Sequence, residues 1–281
     1  MEQVFWIDKI VPADKAAVSI ADSSFLYGLG LFETLRVCGS RVFRIQDHIE
    51  RLLNSACVLG IPCSLKADFI KNAVGQVLES NGLKDARMRM TLSGGSLAQT
   101  QSPTGTLLIT ATEFIPYPKE YYEKGVRVTV TDFRQNPKDP TCGHKTTCYA
   151  PRLMALRKAH EKLAAEALWF TTENNLAEGC ISNIFLVRDD VLYTPRAETP
   201  VLPGIARKTV LELAENLNIK AVEQDLTIHD LLGAQEVFLT NVIMAILPVT
   251  SVESHTVGEG KVGEMTKKLT KSYEKKLNSK R

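Results

Sequence analysis

The stretch Glu178-Gly179-Cys180-Ile181-Ser182-Asn183-Ile184-Phe185 places a carboxylate, a small polar turn and the start of an apolar run next to one another. Glycine followed by serine and asparagine, ahead of β-branched and aromatic residues, is typical of a turn that enters a strand. We predict strands over residues 183–187 and 191–194, followed by a helix over 205–217. Strands that alternate with helices predict an α/β or α+β domain whose strand ends carry polar side chains in loops.

The first part of the chain shows a different order of elements. Apolar residues at 45, 49, 52, 53, 56 and 59 recur at helical spacing, and Gly60 and Pro62 end this helix. The stretch Ile115-Pro116-Tyr117-Pro118 breaks regular structure. We therefore predict a smaller N-terminal α/β domain over residues 1–115, a linker over 116–124 and a larger C-terminal domain over 125–281.

Further elements follow from the same patterns. The N-terminal part predicts strands at 4–7, 31–37, 41–43, 86–92 and 106–112, a helix at 67–79, and a polar loop after Gly94-Gly95. The C-terminal part predicts strands at 126–131, 167–171, 236–240, 247–252 and near 222, helices at 151–162 and 228–232, and a basic C-terminal helix.

Composition excludes several classes of protein. The chain is 44% hydrophobic and 23% charged with a net charge of +2, which argues against a disordered chain or a dedicated nucleic-acid binder. Residues 1–10 lack the basic start and apolar stretch of a signal peptide, and no segment approaches the roughly 20 apolar residues of a membrane span. The six cysteines show neither CxxC spacing nor the density of a disulfide scaffold. We therefore expect a cytoplasmic protein that binds neither nucleic acid nor membrane.

Lys145 and Glu178 are the residues whose chemistry is most informative. A lysine that can be desolvated, together with a fixed carboxylate, is what pyridoxal 5'-phosphate (PLP) chemistry requires. The lysine bonds covalently to the cofactor aldehyde, while the carboxylate keeps the pyridine nitrogen protonated. Tyr149 follows four residues later and could contact the ring hydroxyl. A solvated loop lysine and a turn carboxylate remain the simpler interpretations of each residue alone.

Two further features could bind a phosphate. Gly204-Ile205-Ala206 leads into a helix whose first backbone N–H groups lack helical acceptors, and Arg51 could form paired hydrogen bonds with an anion. The alternatives are an ordinary helix start and a surface mosaic of charges. Thr240-Asn241 ends an apolar strand, where ligand-facing groups and turn residues are both common. No Walker loop, HExxH zinc motif or GxSxG elbow is present, so we expect no metal ion.

Taken together, these residues resemble the class IV aminotransferases, also called fold-type IV PLP enzymes. The similarity extends over nearly the whole chain. Its motifs are Tyr27-Gly28-Leu29-Gly30-Leu31-Phe32-Glu33-Thr34-Leu35-Arg36, the helix with Arg51, Lys145 with Tyr149, residues 178–185, residues 202–207 and residues 240–249. The resemblance implies a two-domain fold and a homodimer that acts on a small-molecule substrate.

The resemblance also implies roles for individual residues. Lys145 would be the catalytic residue, bonded to PLP and moving the proton at the substrate α-carbon. The other implied cofactor-binding residues are Arg51, Tyr149, Glu178, Leu202, Ile205, Ala206 and Thr240, and the implied substrate-binding residues are Tyr27, Phe32, Arg89 and Asn241. Two departures from the family pattern are Ala206, where threonine is common, and Cys148, where asparagine is frequent.

The resemblance leaves the reaction open between lyase and aminotransferase. Thr240-Asn241 is more similar to the segment of 4-amino-4-deoxychorismate lyases than to the Gly-Thr-Ala of branched-chain aminotransferases. We therefore favour the lyase, which forms p-aminobenzoate and pyruvate. The alternative is an aminotransferase for branched-chain or D-amino acids. A non-catalytic PLP carrier and a serine hydrolase built on Ser182 are further rivals.

Overall fold

The computed structural model describes residues 2–97 and 105–279. The chain forms two compact units. One contains the described residues up to Ile115 together with His144–Tyr149, and the other contains Pro116–Gly143 and the described residues from Ala150 onward. The segment His144–Tyr149 therefore belongs to the first unit, although the sequence-based division placed it in the C-terminal domain. Most of the polar loop predicted after Gly94-Gly95 lies outside the described residues.

The first unit is built on a six-stranded sheet whose neighbouring strands are all antiparallel. Its strands are β1 (Gln3–Trp6), β2 (Lys9–Pro12), β3 (Gly30–Cys38), β4 (Arg41–Val42), β5 (Ala86–Ser93) and β6 (Leu107–Glu113). Their order across the sheet is β2-β1-β6-β5-β3-β4. In β5 the residues from 86 to 90 alternate between buried and exposed, so one face of this strand lies against a core.

Three helices accompany this sheet: α1 (Ser23–Tyr27), α2 (Ile45–Val58) and α3 (Ala67–Asn81). On α2 the buried residues His48, Ile49, Leu52, Ser55 and Ala56 share one face, and this face packs against β3. The helix α3 packs against β1 and β6. The two helices predicted for this unit are confirmed as α2 and α3, and the strands predicted at 31–37 and 41–43 form the antiparallel pair β3 and β4, whereas α1 and β2 were not predicted.

The second unit is built on a mixed sheet of nine strands. Its strands are β7 (Val126–Gln135), β8 (Glu166–Thr171), β9 (Leu176–Gly179), β10 (Asn183–Arg188), β11 (Val191–Pro195), β12 (Ala221–Gln224), β13 (Glu236–Asn241), β14 (Ala245–Val252) and β15 (His255–Thr256). The order is β12-β11-β10-β13-β14-β7-β8-β9, and β15 pairs with β14. All six residues of β8 and five of the six in β10 are buried, as expected of strands covered on both faces.

Five helices belong to the second unit: α4 (Lys119–Lys124), α5 (Ala150–Glu161), α6 (Ile205–Asn216), α7 (Ile228–Leu232) and α8 (Glu264–Asn278). Within the segment predicted as a linker, residues 116–124, Lys119–Lys124 forms a helix that packs against β14. Strand β9 was not predicted. The α+β class is confirmed. None of the helices in the described ranges is long and apolar enough to cross a membrane.

Candidate active site

The segment that carries Lys145 is attached to the beginning of β3 in the first unit. The Phe32 N–H donates to the Lys145 carbonyl at 2.9 Å, and the Thr147 N–H donates to the Gly30 carbonyl at 2.8 Å. The Thr147 hydroxyl also donates to the carbonyl of Gly28, the residue that ends α1. These bonds fix the backbone on both sides of the Lys145 side chain. They also bring the segment beside Tyr27, whose side chain is exposed in the last turn of α1.

The Lys145 amine lies beside two aromatic rings. Its Nζ is 4.5 Å from the ring centroid of Phe32 and 5.9 Å from that of Tyr149, and these two rings pack edge to face with centroids 5.4 Å apart. The Arg89 guanidinium carbon lies 3.8 Å from the centroid of the same Phe32 ring. Burial and the nearby charge of Arg87 lower the pKa of Arg89. One buried phenyl ring thus contacts both an amine and a guanidinium.

Arg51 is part of a buried ion network that also contains Glu33 and His48. Arg51 donates to both carboxylate oxygens of Glu33, at 2.7 and 2.6 Å, and His48 Nδ1 lies 2.7 Å from Oε2. Burial alone would raise the pKa of Glu33, but the charge of Arg51 and the bonds from both partners bring it down to about 2. The alternative interpretation of Arg51, a charged residue on the surface of α2 near Asp47 and Glu50, is therefore excluded. Arg51 pairs with buried Glu33, and Asp47 pairs with Arg44.

His48 completes this network as a neutral donor. Ionised Glu33 can only accept, so the proton on His48 is at Nδ1. Burial lowers the pKa of His48, and its contact with Glu33 opposes this shift. The other ring nitrogen, Nε2, is buried and has no hydrogen-bond partner among the described residues. Glu33 was not predicted as a site residue, although it lies inside a motif identified from the sequence, whereas His48 was considered as a residue that orients Arg51.

Glu178, at the end of β9, is the centre of a second set of contacts, all within the second unit. Arg152 NH2 on α5 donates to Oε1 at 2.6 Å, and the Leu202 N–H donates to Oε2 at 2.9 Å. Asn183 Nδ2 lies 3.4 Å from Oε2 and donates to the Leu202 carbonyl at 2.9 Å. The Glu178 side chain is only 4% exposed, so the carboxylate is buried beside a cation. Arg152 was not identified from the sequence.

Helix α6 begins three residues after Leu202. Gly204 is its N-cap, and no side chain in the described part of the chain caps the helix, so Ile205 and Ala206 bring N–H groups that lack helical acceptors. A Cβ at Gly204 would collide with Asn183 Oδ1. Only glycine therefore fits here without a shift of the side chain that also contacts Glu178. The positive end of the helix dipole lies at this turn.

The predicted residues Thr240 and Asn241 are engaged in hydrogen bonds within the second unit. The Thr240 hydroxyl donates to the Ala245 carbonyl at 2.6 Å. Asn241 donates to the Ile181 carbonyl at 3.0 Å and accepts from two backbone N–H groups, those of Ile243 and Met244. The polar atoms of Asn241 thus stabilise a turn, which is the alternative that the sequence had left open. Its role toward a substrate stays a prediction.

These two sets of residues have the chemistry of a PLP-dependent enzyme. In the second unit, a buried carboxylate paired with an arginine suits a protonated pyridine nitrogen, and the uncapped start of α6 suits a phosphate. In the first unit, the Lys145 amine suits the cofactor aldehyde. Within the described residues, no group of three or more His, Cys, Asp or Glu side chains is placed to hold a metal ion.

Comparison with known proteins identifies the family. A model of amino-transferase class IV matches residues 30–252. The chain is 30% identical over 281 residues to the branched-chain-amino-acid aminotransferase of Pseudomonas aeruginosa, covering 96% of this chain and 91% of that protein. It is 28% identical over 281 residues to the D-alanine aminotransferase of Bacillus licheniformis, covering 99% and 98%. The chain belongs to the class IV aminotransferase family, and it is an enzyme whose cofactor is PLP.

Solved structures agree with this assignment. The branched-chain amino acid aminotransferase of Escherichia coli superposes with a TM-score of 0.92 at 28% identity, covering 97% of this chain and 93% of that one. A provisionally named 4-amino-4-deoxychorismate lyase from Legionella pneumophila superposes with a TM-score of 0.85 at 29% identity, covering 96% and 97%. Proteins named for either reaction therefore share this fold.

Proposed function

We propose that this enzyme is an aminotransferase that moves an amino group from a branched-chain or D-amino acid to a 2-oxo acid. The observation that carries the proposal is that the Phe32 ring contacts both the Lys145 amine and the Arg89 guanidinium. An amine can exchange a proton at the α-carbon, and a guanidinium can bind the α-carboxylate of the same amino acid. The names of the Pseudomonas and Bacillus relatives support the same reaction.

In this proposal each residue has a defined task. When bound, PLP supplies an electron sink for the negative charge that develops at the substrate α-carbon. Lys145 Nζ would take the proton from that carbon and pass it to the cofactor, and in the second half of the reaction it would move a proton in the opposite direction, to the α-carbon of the 2-oxo acid. Glu178, held by Arg152, would accept a hydrogen bond from the protonated pyridine nitrogen. Tyr149 packs beside Phe32 and restricts the positions open to the Lys145 side chain.

The remaining predicted residues are proposed to hold the cofactor and the substrate. The backbone N–H groups of Ile205 and Ala206, together with Arg51 and Thr240, bind the phosphate, and Leu202 packs on the cofactor ring. For Ala206 this role needs only its backbone. We also propose a homodimer, because Phe25 and Leu26 on α1 are 71% and 50% exposed and would be covered by a second copy. The cytoplasmic location expected from the cysteine pattern stays part of the proposal. Light scattering on the purified holoenzyme measures its mass.

The second candidate is 4-amino-4-deoxychorismate lyase. It is supported by the Thr240-Asn241 segment and by the structural similarity to the Legionella protein. The contacts of Asn241 weaken the first argument, because its amide is engaged in a turn. Both reactions would begin with removal of a proton by Lys145, so Lys145 and Glu178 would serve either one. The names of the Pseudomonas and Bacillus relatives favour the aminotransferase.

A single set of assays separates the two reactions. Holoenzyme is given D-alanine or L-leucine with 2-oxoglutarate, and formation of glutamate is measured. In a parallel assay it is given aminodeoxychorismate without a 2-oxo acid, and release of pyruvate is measured. Glutamate formation in the first assay, without pyruvate release from aminodeoxychorismate in the second, supports the aminotransferase. Pyruvate formed from D-alanine in the first assay is the expected product of transamination. Pyruvate release from aminodeoxychorismate without glutamate formation would refute the aminotransferase in favour of the lyase.

A further inference from the structure

Glu166, the first residue of β8, is a buried carboxyl outside the residues assigned above. It is 1% exposed, and its two oxygens accept different hydrogen bonds. Oε1 accepts from the Ile181 N–H at 2.5 Å, and Oε2 accepts from the Ser182 hydroxyl at 2.7 Å. Both donors lie in the turn that joins β9 to β10. Glu166 therefore holds this turn from inside the unit.

The turn that Glu166 holds begins directly after Glu178. The Gly179 N–H donates to the Ser182 carbonyl at 2.8 Å, which closes the turn. A Cβ on Gly179 would lie 2.6 Å from Glu166 Oε1, so the carboxyl group and the backbone of the turn are in direct contact. The position of the Glu166 carboxyl group therefore limits where the backbone of Gly179, the residue next to Glu178, can lie.

Other groups hold the outer side of the same turn. Arg152 donates to the carbonyls of Gly179 and Cys180, at 3.0 and 3.4 Å, with the nitrogen that does not bind Glu178. Asn241 donates to the Ile181 carbonyl. Arg152 and Asn241 thus hold the carbonyl groups of the turn, and Glu166 holds the Ile181 N–H and the Ser182 hydroxyl. Glu166 is the acceptor for both of these donors.

We propose that Glu166 is a positioning residue that fixes the Glu178 carboxylate for its contact with the PLP pyridine nitrogen. It acts through the backbone of the turn at residues 179–182. This inference rests on the proposed function, because it assumes the role given there to Glu178. A carboxylate suits the task better than an amide, since it offers an acceptor to each of two donors, whereas glutamine offers one.

The charges around Glu166 supply a signature that a purely structural residue would lack. The charged and titratable groups facing it are Arg152 from α5, Glu178 from β9 and the Cys180 thiol from the turn. Burial raises the pKa of Glu166 to about 7, although the bonds from Ile181 and Ser182 and the charge of Arg152 oppose this. Above this pH, the ionised group places a second negative charge beside the pair formed by Arg152 and Glu178.

The test compares holoenzyme variants at Glu166 with a control on the same unit. Glu166→Gln keeps the size of the side chain but removes its charge and one acceptor, and Ser182→Ala removes one of the two donors. Glu161→Gln is the control, because Glu161 is exposed at the end of α5. The measurements are the dissociation constant of PLP, kcat/KM, and the absorbance of the bound cofactor as a function of pH. The pH range extends about 1.5 pH units on either side of 7, so that a titration near 7 is covered.

We expect Glu166→Gln to weaken PLP binding and lower kcat/KM by about 10- to 100-fold, the range seen for residues that orient direct ligands. The wild-type absorbance should change with a midpoint of about 7, and this change should be missing in Glu166→Gln and present in Glu161→Gln. Ser182→Ala removes a bond that lowers the pKa of Glu166, so its midpoint should lie above that of the wild type while PLP binding is weakened. Its circular dichroism melting curve shows whether the fold is intact.

Two outcomes would overturn the inference. One is a Glu166→Gln holoenzyme with unchanged PLP affinity and an unchanged pH midpoint. The second outcome matters if Glu166→Gln does not fold. In that case, a folded Ser182→Ala protein with wild-type PLP affinity would overturn the inference. Glu178→Gln distinguishes this failure from failure of the proposed function. If Glu178→Gln retains full turnover, the role proposed for Glu178 is wrong. If turnover is lost in Glu178→Gln but not in Glu166→Gln, only the positioning role of Glu166 is refuted.

Discussion

Arg152→Met tests whether the buried carboxylate of Glu178 depends on its arginine. The substitution keeps an unbranched side chain on α5 but removes the bond to Glu178 at 2.6 Å and both bonds to the turn carbonyls. Removing one partner of a buried ion pair costs about 3 to 5 kcal/mol, because the other charge stays buried and unpaired. Arg152 is 22% exposed, so solvent screens part of this interaction. We expect a loss of about 2 to 4 kcal/mol in the free energy of unfolding.

The loss is measured by urea unfolding of cofactor-free protein, because bound PLP would add its own stabilisation. Arg157→Met is the matched control. It lies on the same helix, but its pair with Glu161 spans 3.8 Å at an exposed position. That change should alter stability by less than about 0.5 kcal/mol. In thermal unfolding, Arg152→Met should lower the midpoint by about 5 to 10 °C relative to this control.

A double variant decides whether the unpaired charge is the cause. Arg152→Met combined with Glu178→Gln removes both charges, so the combined loss should be smaller than the sum of the single losses by about 1 to 3 kcal/mol. Strict additivity of the two changes would refute the argument. It would mean that Arg152 stabilises the unit through packing or through the turn carbonyls alone.

Three further predictions follow from other contacts. The pKa of Glu33 is lowered from 4.5 to about 2, so its stabilising contribution is present above pH 4.5 and is lost as the pH falls toward 2. Relative to Glu33→Gln, the wild type should therefore lose about 3 kcal/mol in the free energy of unfolding between these two pH values. Gly204→Ala should destabilise by about 1 to 3 kcal/mol through collision, whereas Gly75→Ala, within a helix and in open space, should stabilise by about 0.5 to 1 kcal/mol in the same urea assay. Lys145→Ala should abolish transamination and covalent fixation of PLP by borohydride, while Lys138→Ala at an exposed position should retain both.

Sequence patterns predicted the regular elements where one face of each element is buried. The helix over residues 45–59 was predicted because its apolar residues recur every three to four positions, and the structure buries this same face in α2. The short helix over 228–232 was predicted with its exact bounds, and a capping box of Thr227 and Asp230 fixes its start. Periodicity and capping are local signals, so a single sequence contains them.

Contacts between distant residues could not be read from the sequence. Arg152 follows Lys145 by seven residues, yet it pairs with Glu178, which is 26 residues further along the chain. Glu33 and His48 are 15 residues apart and meet because β3 and α2 pack together. Charged residues are mostly solvated, so sequence composition gives no reason to pair these ones. The prediction of PLP came from the family motifs together with two reactive residues.

Glu33 and Glu166 show why the environment of a carboxyl matters more than its burial. Both are 1% exposed, and for both burial alone raises the pKa. Glu33 binds Arg51 through both oxygens, and its pKa falls to about 2, so it stays ionised at every physiological pH. Glu166 binds only neutral donors, and its pKa rises to about 7. A permanently ionised acid suits the fixed orientation of Arg51, whereas an acid near neutrality can change its charge beside Glu178.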